Sequence, residues 1–359
     1  MKKRIPLTKL WLDKNELNEI KKVLDSGFIT EGLQTKKFEG LIAKYTNSKF
    51  AVATTSGTSA LHSAFHCIGL KGKKILISDF TFPATALAVQ LAGGIPVLAD
   101  VEKDTMNISK SIVENSLDKQ INFLCPVPLF GNPLEKNFYS LRKLGLKIIE
   151  DAATNLGTKI DSKPTGSLAD ITCFSFHPRK IITTGEGGMI TTNNLELFEK
   201  IKKFKSFGKN PDFTGFGTNY KMSNILAAVG ISQFKKIEKI IKIRQSKAKI
   251  YDELISKINF IEPQRQMKNS RHIYQSYVCT ITKPNFRDKI INELSKNNIE
   301  SQIGTYALHC LPFFKTCIKK GNLDNSSFLY HNTITLPLHH LLTLSDQIRI
   351  CKIIKKLLN

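Results

Sequence analysis

Apolar positions follow two periods in this chain. Short runs of four to seven apolar residues alternate with segments in which apolar residues recur every three to four positions. After an N-terminal helical pattern from Glu16 to Leu24, FAVATTSG gives way to TSALHSAFHCIGL. There Ala60, Leu61, Ala64, Phe65 and Ile68 share one face of a helix. KKILIS then leads into helical FPATALAVQLAG, strand-like IPVLADV, helical KSIVENSL, strand-like INFLCPV, helical LEKNFYSLRKLG and strand-like LKIIEDA. Such alternation predicts βαβ units and an α/β fold, with a mostly parallel sheet covered by helices on both faces. From about Ser223 through Leu254 the pattern reads as one long helix. Beyond it, YQSYVCTI, a helix near Arg287 to Asn297 and a final helix from about Ser345 suggest a smaller α+β unit. We therefore expect a large domain over 1–240 and a small C-terminal domain over 241–359. No internal repeat or low-complexity stretch interrupts either.

Length and composition fit this picture. The 359 residues are 41% hydrophobic and 23% charged, enough for a large core and two domains. The formal charge of +23 admits nucleic acid, an anionic surface or a phosphorylated small molecule as partner. Because the lysines are spread through the chain, with no basic tail and no basic motif with interleaved aromatics, we read a general basic bias and expect no nucleic-acid partner. The seven cysteines form no C-x-x-C pair and are odd in number, which points to reduced thiols in a cytoplasm. The basic N-terminus lacks an apolar stretch of signal-peptide length, and no segment approaches the roughly 20 apolar residues of a membrane span. No metal site is expected.

In an α/β sheet, ligands bind beyond the carboxyl ends of the strands, so residues just after the strand runs deserve scrutiny. Gly57, Thr58 and Ser59 lie between a strand and a helix start, where free N–H groups and the helix dipole favour an anion; an ordinary N-cap is the plainer reading. Asp151 ends LKIIED and would cap a helix or hold a cation. Phe82, after KKILIS, would pack in the core or lie flat on a planar ligand. Lys180 sits in SFHPRKIITTGEGG, between the apolar run ITCFSF with its polar Ser175 and His177 and the glycines flanking Glu186. Taken together, these positions suit pyridoxal 5'-phosphate: an anion cradle, a carboxylate for the ring nitrogen, a flat partner for the ring and a lysine for a Schiff base.

The blocks EDAA and SFHPRKIITTGEGG resemble the DegT/DnrJ/StrS sugar-nucleotide aminotransferases, and the similarity runs from IPLTKLWLDKNELNEIKKVLDSGFITEG to ITLPLHHLLTLSDQ. The resemblance implies the fold of aspartate aminotransferase, whose larger domain carries a seven-stranded sheet. It also implies a cytoplasmic enzyme that transfers an amino group from L-glutamate to a keto group, at C4 in most relatives, of a nucleoside-diphosphate 4-keto-6-deoxy sugar. The amino sugar would serve polysaccharide or related biosynthesis. By position, Lys180 and Asp151 would be catalytic, Phe82 would stack on the cofactor ring, Thr154 would lie near its phenolic oxygen, and Gly57, Thr58, Ser59 and Ser175 would hold its phosphate. Asn219, in GTNYKMSNILAA, would reach that phosphate in a neighbouring subunit, which implies a homodimer with shared active sites. Phe28 and Thr30 of GFITEG and His339 of LPLHHLLT fall in segments that line the sugar pocket. Pro128, Phe130, Thr154 and Lys221 depart from the residues usual at their positions, which bears on the sugar more than on the cofactor. Other readings are a 3-keto sugar aminotransferase, a sugar dehydratase, or a non-catalytic basic regulatory protein on the same scaffold. Dehydratase relatives carry His in place of Lys180, and the intact set of Lys180, Asp151 and Gly57–Ser59 argues against the regulatory reading.

Overall fold

The computed structural model describes residues 3–208 and 215–359. Seven strands form the body of the main sheet: β1 (Phe50–Thr54), β2 (Lys74–Ser78), β3 (Ile95–Ala99), β4 (Ile121–Cys125), β5 (Lys147–Asp151), β6 (Ile171–Ser175) and β7 (Gly188–Thr192). Their spatial order is β1-β7-β6-β5-β4-β2-β3. Only β7 runs against its neighbours, β1 and β6. An eighth strand, Ile318–Lys320, adds parallel to β3 at the edge. It extends the expected seven strands and comes from the C-terminal part of the chain.

Side chains leave this sheet alternately to two apolar layers, as the two-residue strand period requires. Ile75, Ile77, Leu98 and Ile149 join Ala60, Ala64, Phe65 and Val89 on one face. Leu76, Val97, Ala99 and Ile148 meet Phe138 and Leu141 on the other. Asp151 follows the parity of Ile149, and Glu150 that of Ile148, so these adjacent carboxylates are sent to opposite faces.

A four-stranded antiparallel sheet, ordered Ile261–Pro263, Tyr277–Ile281, Thr333–Leu336 and Gln302–Ile303, forms the core of the C-terminal part. Helices Ile237–Ile255, Arg287–Lys296 and Leu344–Leu358 contribute Tyr251, Ile255, Ile290, Leu294, Ile350 and Ile354 to its apolar layer. Among the contacts that stitch this part to the main sheet besides the eighth strand, two lie close to Phe82. Tyr306–Ala307 pairs with Phe80–Thr81, just before Phe82. Asp79, fully buried, accepts the N–H of His309 at 2.9 Å and pairs with its Nδ1 at 2.6 Å.

The structure differs from the sequence reading in two further elements. The helix expected over Ser223–Leu254 is two, Asn224–Phe234 and Ile237–Ile255. At the break, Lys236 turns its ammonium to Glu16 and Asp13 of the N-terminal helix cap, at 2.7 and 2.8 Å. The segment expected as a helix over LEKNFYSLRKLG narrows to a 3-10 stretch, Phe138–Leu144, closed by Gly145 at φ 81°. Among the described residues, no helix is long and apolar enough to cross a membrane, and no His/Cys/Asp/Glu group is suited to a metal ion.

Candidate active site

The carboxyl ends of β1, β2, β4, β5 and β6 converge on a cavity of about 680 Å³. Its walls include Ser56, Gly57, Thr58, Phe82, Asp151, Thr154, Ser175 and Lys180, with Gln275, Gln302 and Thr335 contributed by the C-terminal part. β5 and β6 are adjacent and parallel, with Asp151 opposite Cys173, so Asp151 ends one strand while Lys180 follows the other. Asp151 lies at the floor, 5% exposed. Its Oδ2 accepts the Thr85 hydroxyl at 2.7 Å and its Oδ1 the Ala153 N–H at 3.2 Å. Lys180 is half-buried above it, and its backbone N–H donates to the His177 carbonyl at 2.8 Å.

Burial acts on both charges. It pushes the Asp151 carboxyl above its usual range, against the pull of the Thr85 hydroxyl, the Ala153 N–H and the Lys180 ammonium. The Lys180 ammonium is pushed down by burial, with Asp151 opposing and Arg179 adding to the effect. A cationic ring nitrogen at Asp151 would supply the countercharge the protein alone provides only weakly. On the opposite face, Glu150 is fully buried, and burial raises its carboxyl to about 7 although it accepts the Tyr139 hydroxyl at 2.9 Å.

At the turn expected to hold an anion, Ser56, Gly57 and Thr58 line the cavity and Ser59 does not. Ser56 caps helix Gly57–Cys67, accepting the Ser59 N–H at 3.0 Å, while the Ser59 hydroxyl accepts the Ser56 N–H at 2.8 Å. This reciprocal capping box occupies Ser59, which is buried and absent from the cavity wall, and places Ser56 there instead. Gly57 and Thr58 line the wall in the first helical turn, whose N–H groups have no acceptor within the helix. Such an end favours an anion by about 0.3–2 kcal/mol. A Cβ at Gly57 would lie 2.8 Å from the Cβ of Ser175, so close approach of these two walls requires glycine.

Phe82 lies at the mouth, 62% exposed, its ring 6.2 Å from that of Tyr306. The core-packing reading of Phe82 is therefore set aside: this ring has one face open. Thr154 lines the wall with its hydroxyl 2.9 Å from the Pro128 carbonyl and 2.7 Å from Asn155 Oδ1, so two of the unusual positions touch each other.

The remaining candidates lie away from this cavity. Asn219 is exposed, accepts the Lys221 ammonium at 2.6 Å and bridges Ser206. Phe28 and Thr30 are exposed on a loop whose carbonyls, together with that of Ile29, accept donors of Asn224. His339 is 4% exposed, and neither ring nitrogen has a hydrogen-bond partner among the described residues. Thr85, Gln275 and Ser56 escaped the sequence reading. Only Ser56 had a legible signal, the spacing of two serines three apart at a helix start.

Burial lowers the imidazole of His339 to about 4 and that of His272 to about 3. Both lie below the unfolded value near 6.5, so the unfolded chain binds protons that the native state refuses. This stability is complete above about pH 6.5 and is lost as the pH falls toward 4, at up to about 1.4 kcal/mol per unit for each histidine. Between pH 7 and 5 the two histidines should lower the unfolding free energy by roughly 4 kcal/mol, against a gain of about 2 kcal/mol from the raised carboxyl of Glu150, so urea titrations of His339→Gln beside wild type should show a fall smaller by about 2 kcal/mol in the variant. The same pH profile in wild type and variant would mean that the His339 ring titrates freely in the native state.

Comparison with known proteins gives the same direction as the geometry. Residues 11–355 match the DegT/DnrJ/EryC1/StrS aminotransferase family. A GDP-perosamine synthase of Vibrio cholerae is 31% identical, over 99% of both chains. A UDP-4-amino-4,6-dideoxy-N-acetyl-beta-L-altrosamine transaminase of Campylobacter jejuni is 31% identical over 93% of this chain and 92% of its own. Among solved structures, Helicobacter pylori PseC, an aminotransferase involved in the biosynthesis of pseudoaminic acid, superposes with a TM-score of 0.92 at 27% identity, over 99% of both chains.

Proposed function

Because the chain belongs to the DegT/DnrJ/EryC1/StrS aminotransferase family, we propose that it is a pyridoxal 5'-phosphate-dependent transaminase moving an amino group from L-glutamate to C4 of a nucleoside-diphosphate 4-keto-6-deoxy sugar. The observation that carries this reading is the convergence of Asp151 and Lys180 on one cavity beneath the open ring of Phe82. When bound, the cofactor supplies an electron-accepting ring and the carbon that carries the amino group between the two substrates. The residues present fit it. Asp151 would hold a proton on the ring nitrogen, kept in place by Thr85 and Ala153. Ser56, Gly57, Thr58 and Ser175 would receive the phosphate, Phe82 would cover the ring, and Thr154 would stand beside the phenolic oxygen. Lys180 would bind the cofactor covalently and move the proton at the donor's α-carbon. Two of the relatives described above are named for amino or perosamine sugars carried on GDP or UDP, which supports the acceptor class.

The test follows the nitrogen. Protein loaded with cofactor and given 15N-glutamate should transfer the label to a GDP- or UDP-linked 4-keto-6-deoxy sugar, read by mass spectrometry of the product. Labelling of a 3-keto acceptor instead would correct the position. Labelling of no keto sugar would end the proposal.

The homodimer belongs to the same proposal. Phe28, Leu33 and Phe216 are 78%, 80% and 72% exposed in the single chain. Lys205 ties their segments together: its ammonium ion-pairs with Glu31 and, at 3.4 Å, with Glu39, and its carbonyl accepts the Tyr220 N–H at 3.0 Å. A second copy covering this apolar surface would bring Asn219 to its neighbour's phosphate. Light scattering should give twice the chain mass for the native protein, and Leu33→Asp should shift it toward monomer with weaker cofactor retention. A monomeric native protein at micromolar concentration would contradict this.

A further inference from the structure

Building on the proposed transaminase reading, we propose that Arg179 is the residue that recognises the diphosphate of the nucleotide-sugar acceptor. Lys180 and Arg179 are the lysine and arginine of the cavity wall. Lys180 is committed to the cofactor. Arg179 has no carboxylate within ion-pair distance among the described residues, although the cavity wall also carries Asp151 and Glu186. Its backbone is fixed on both sides: the N–H donates to His177 Nδ1 at 3.2 Å, and the carbonyl accepts Gln275 Nε2 at 2.6 Å. Gln275 is itself 6% exposed, and its backbone carbonyl accepts the buried Arg244 guanidinium at 2.9 Å. The Arg179 side chain is aimed by a single neutral bond, Nη1 to Gln302 Oε1 at 2.7 Å. A guanidinium has five N–H donors, so most remain for a ligand. A pre-aimed fork with free donors suits a bidentate oxyanion.

Besides the γ-carboxylate of glutamate, which the glutarate titration below tests, two oxyanions enter such a site, the donor's α-carboxylate and the acceptor's diphosphate. Depth decides between them. Asp151 lies at the floor, Lys180 is half-buried above it, and Arg179 is exposed at the rim with Phe82. The donor carboxylate is two bonds from the amine that meets Lys180, and so stays deep. The acceptor reacts at C4 while its diphosphate hangs from C1 across the ring, which carries it outward to the rim.

Calorimetric titration of the cofactor-loaded protein with UDP, GDP and glutarate separates the alternatives. For Arg179→Gln we expect UDP or GDP affinity to fall about 10- to 100-fold, the loss of one or two charged hydrogen bonds. Glutarate affinity should stay within about twofold, and Arg179→Lys should recover only part of the loss because it restores charge without the fork. Unchanged nucleotide affinity in Arg179→Gln, or a loss confined to glutarate, overturns the assignment while leaving the transaminase reading intact. Failure of the wild-type protein to bind either nucleotide would overturn the assignment together with the acceptor class.

Discussion

Replacing Lys180 with alanine is expected to lower transamination by roughly 10⁴-fold, the joint loss of a covalent anchor and a positioned proton carrier. No other side chain on the cavity wall offers a primary amine. The effect should be visible without turnover. Wild-type protein mixed with cofactor should develop the visible absorbance of a lysine-bound form. Borohydride treatment should then fix the cofactor to the peptide containing SFHPRKIITTGEGG. Lys180→Ala should do neither. Trapping of the cofactor on a different lysine of the wild-type protein would remove Lys180 from its role.

Asp151→Asn is expected to act in opposite directions on activity and on the empty protein. Asparagine keeps the shape of the side chain and can still accept the Ala153 N–H through its one oxygen, while its amide NH2 would donate to the Thr85 oxygen and reverse that bond; the charge is gone. Without the carboxylate nothing at this position would hold a proton on the cofactor's ring nitrogen, so turnover should fall by about 10³-fold, on the order of 4 kcal/mol. In the cofactor-free protein, burial holds the Asp151 carboxyl above its unfolded value. A raised carboxyl means that the native state binds the extra proton, so its contribution favours folding at low pH and is lost as the pH rises through the folded value. At neutral pH the neutral asparagine escapes that cost. The urea midpoint of cofactor-free Asp151→Asn should therefore lie above that of wild type, whereas cofactor should stabilise the wild type more than the variant. A lower midpoint for the empty variant would show that the carboxylate is a structural cap rather than a functional charge held at a cost.

The body of the sheet and the two central residues were legible because each rests on a local rule. Strands buried on both faces read as apolar runs, and the polar residue that ends such a strand marks the ligand edge, as at Asp151. Other features depend on geometry that no local pattern encodes. The shift from Ser59 to Ser56 turns on which serine caps the helix, a one-residue boundary that sequence patterns do not resolve. The break at Lys236 depends on carboxylates more than 200 positions earlier. Ile318–Lys320, within CIKKGN, is too short and too basic to read as a strand and becomes one only because β3 offers an open edge. Gln275 and Thr85 reach the site through tertiary packing and carry no periodic signal. Asn219, Phe28 and Thr30 stand outside the cavity of a single chain, which is where residues serving a second subunit would stand.

The late edge strand also affects synthesis. Ribosomes deliver the chain from its N-terminus, and N-terminal units ordinarily begin to fold first. Here β3 waits for a partner that comes close to the C-terminus, and the cavity wall waits for Gln275, Gln302 and Thr335. A nascent chain halted near residue 300 would therefore present an unpaired parallel edge and a half-walled cavity. Any ligand of this cavity would thus meet a finished pocket only once almost the entire polypeptide has been made.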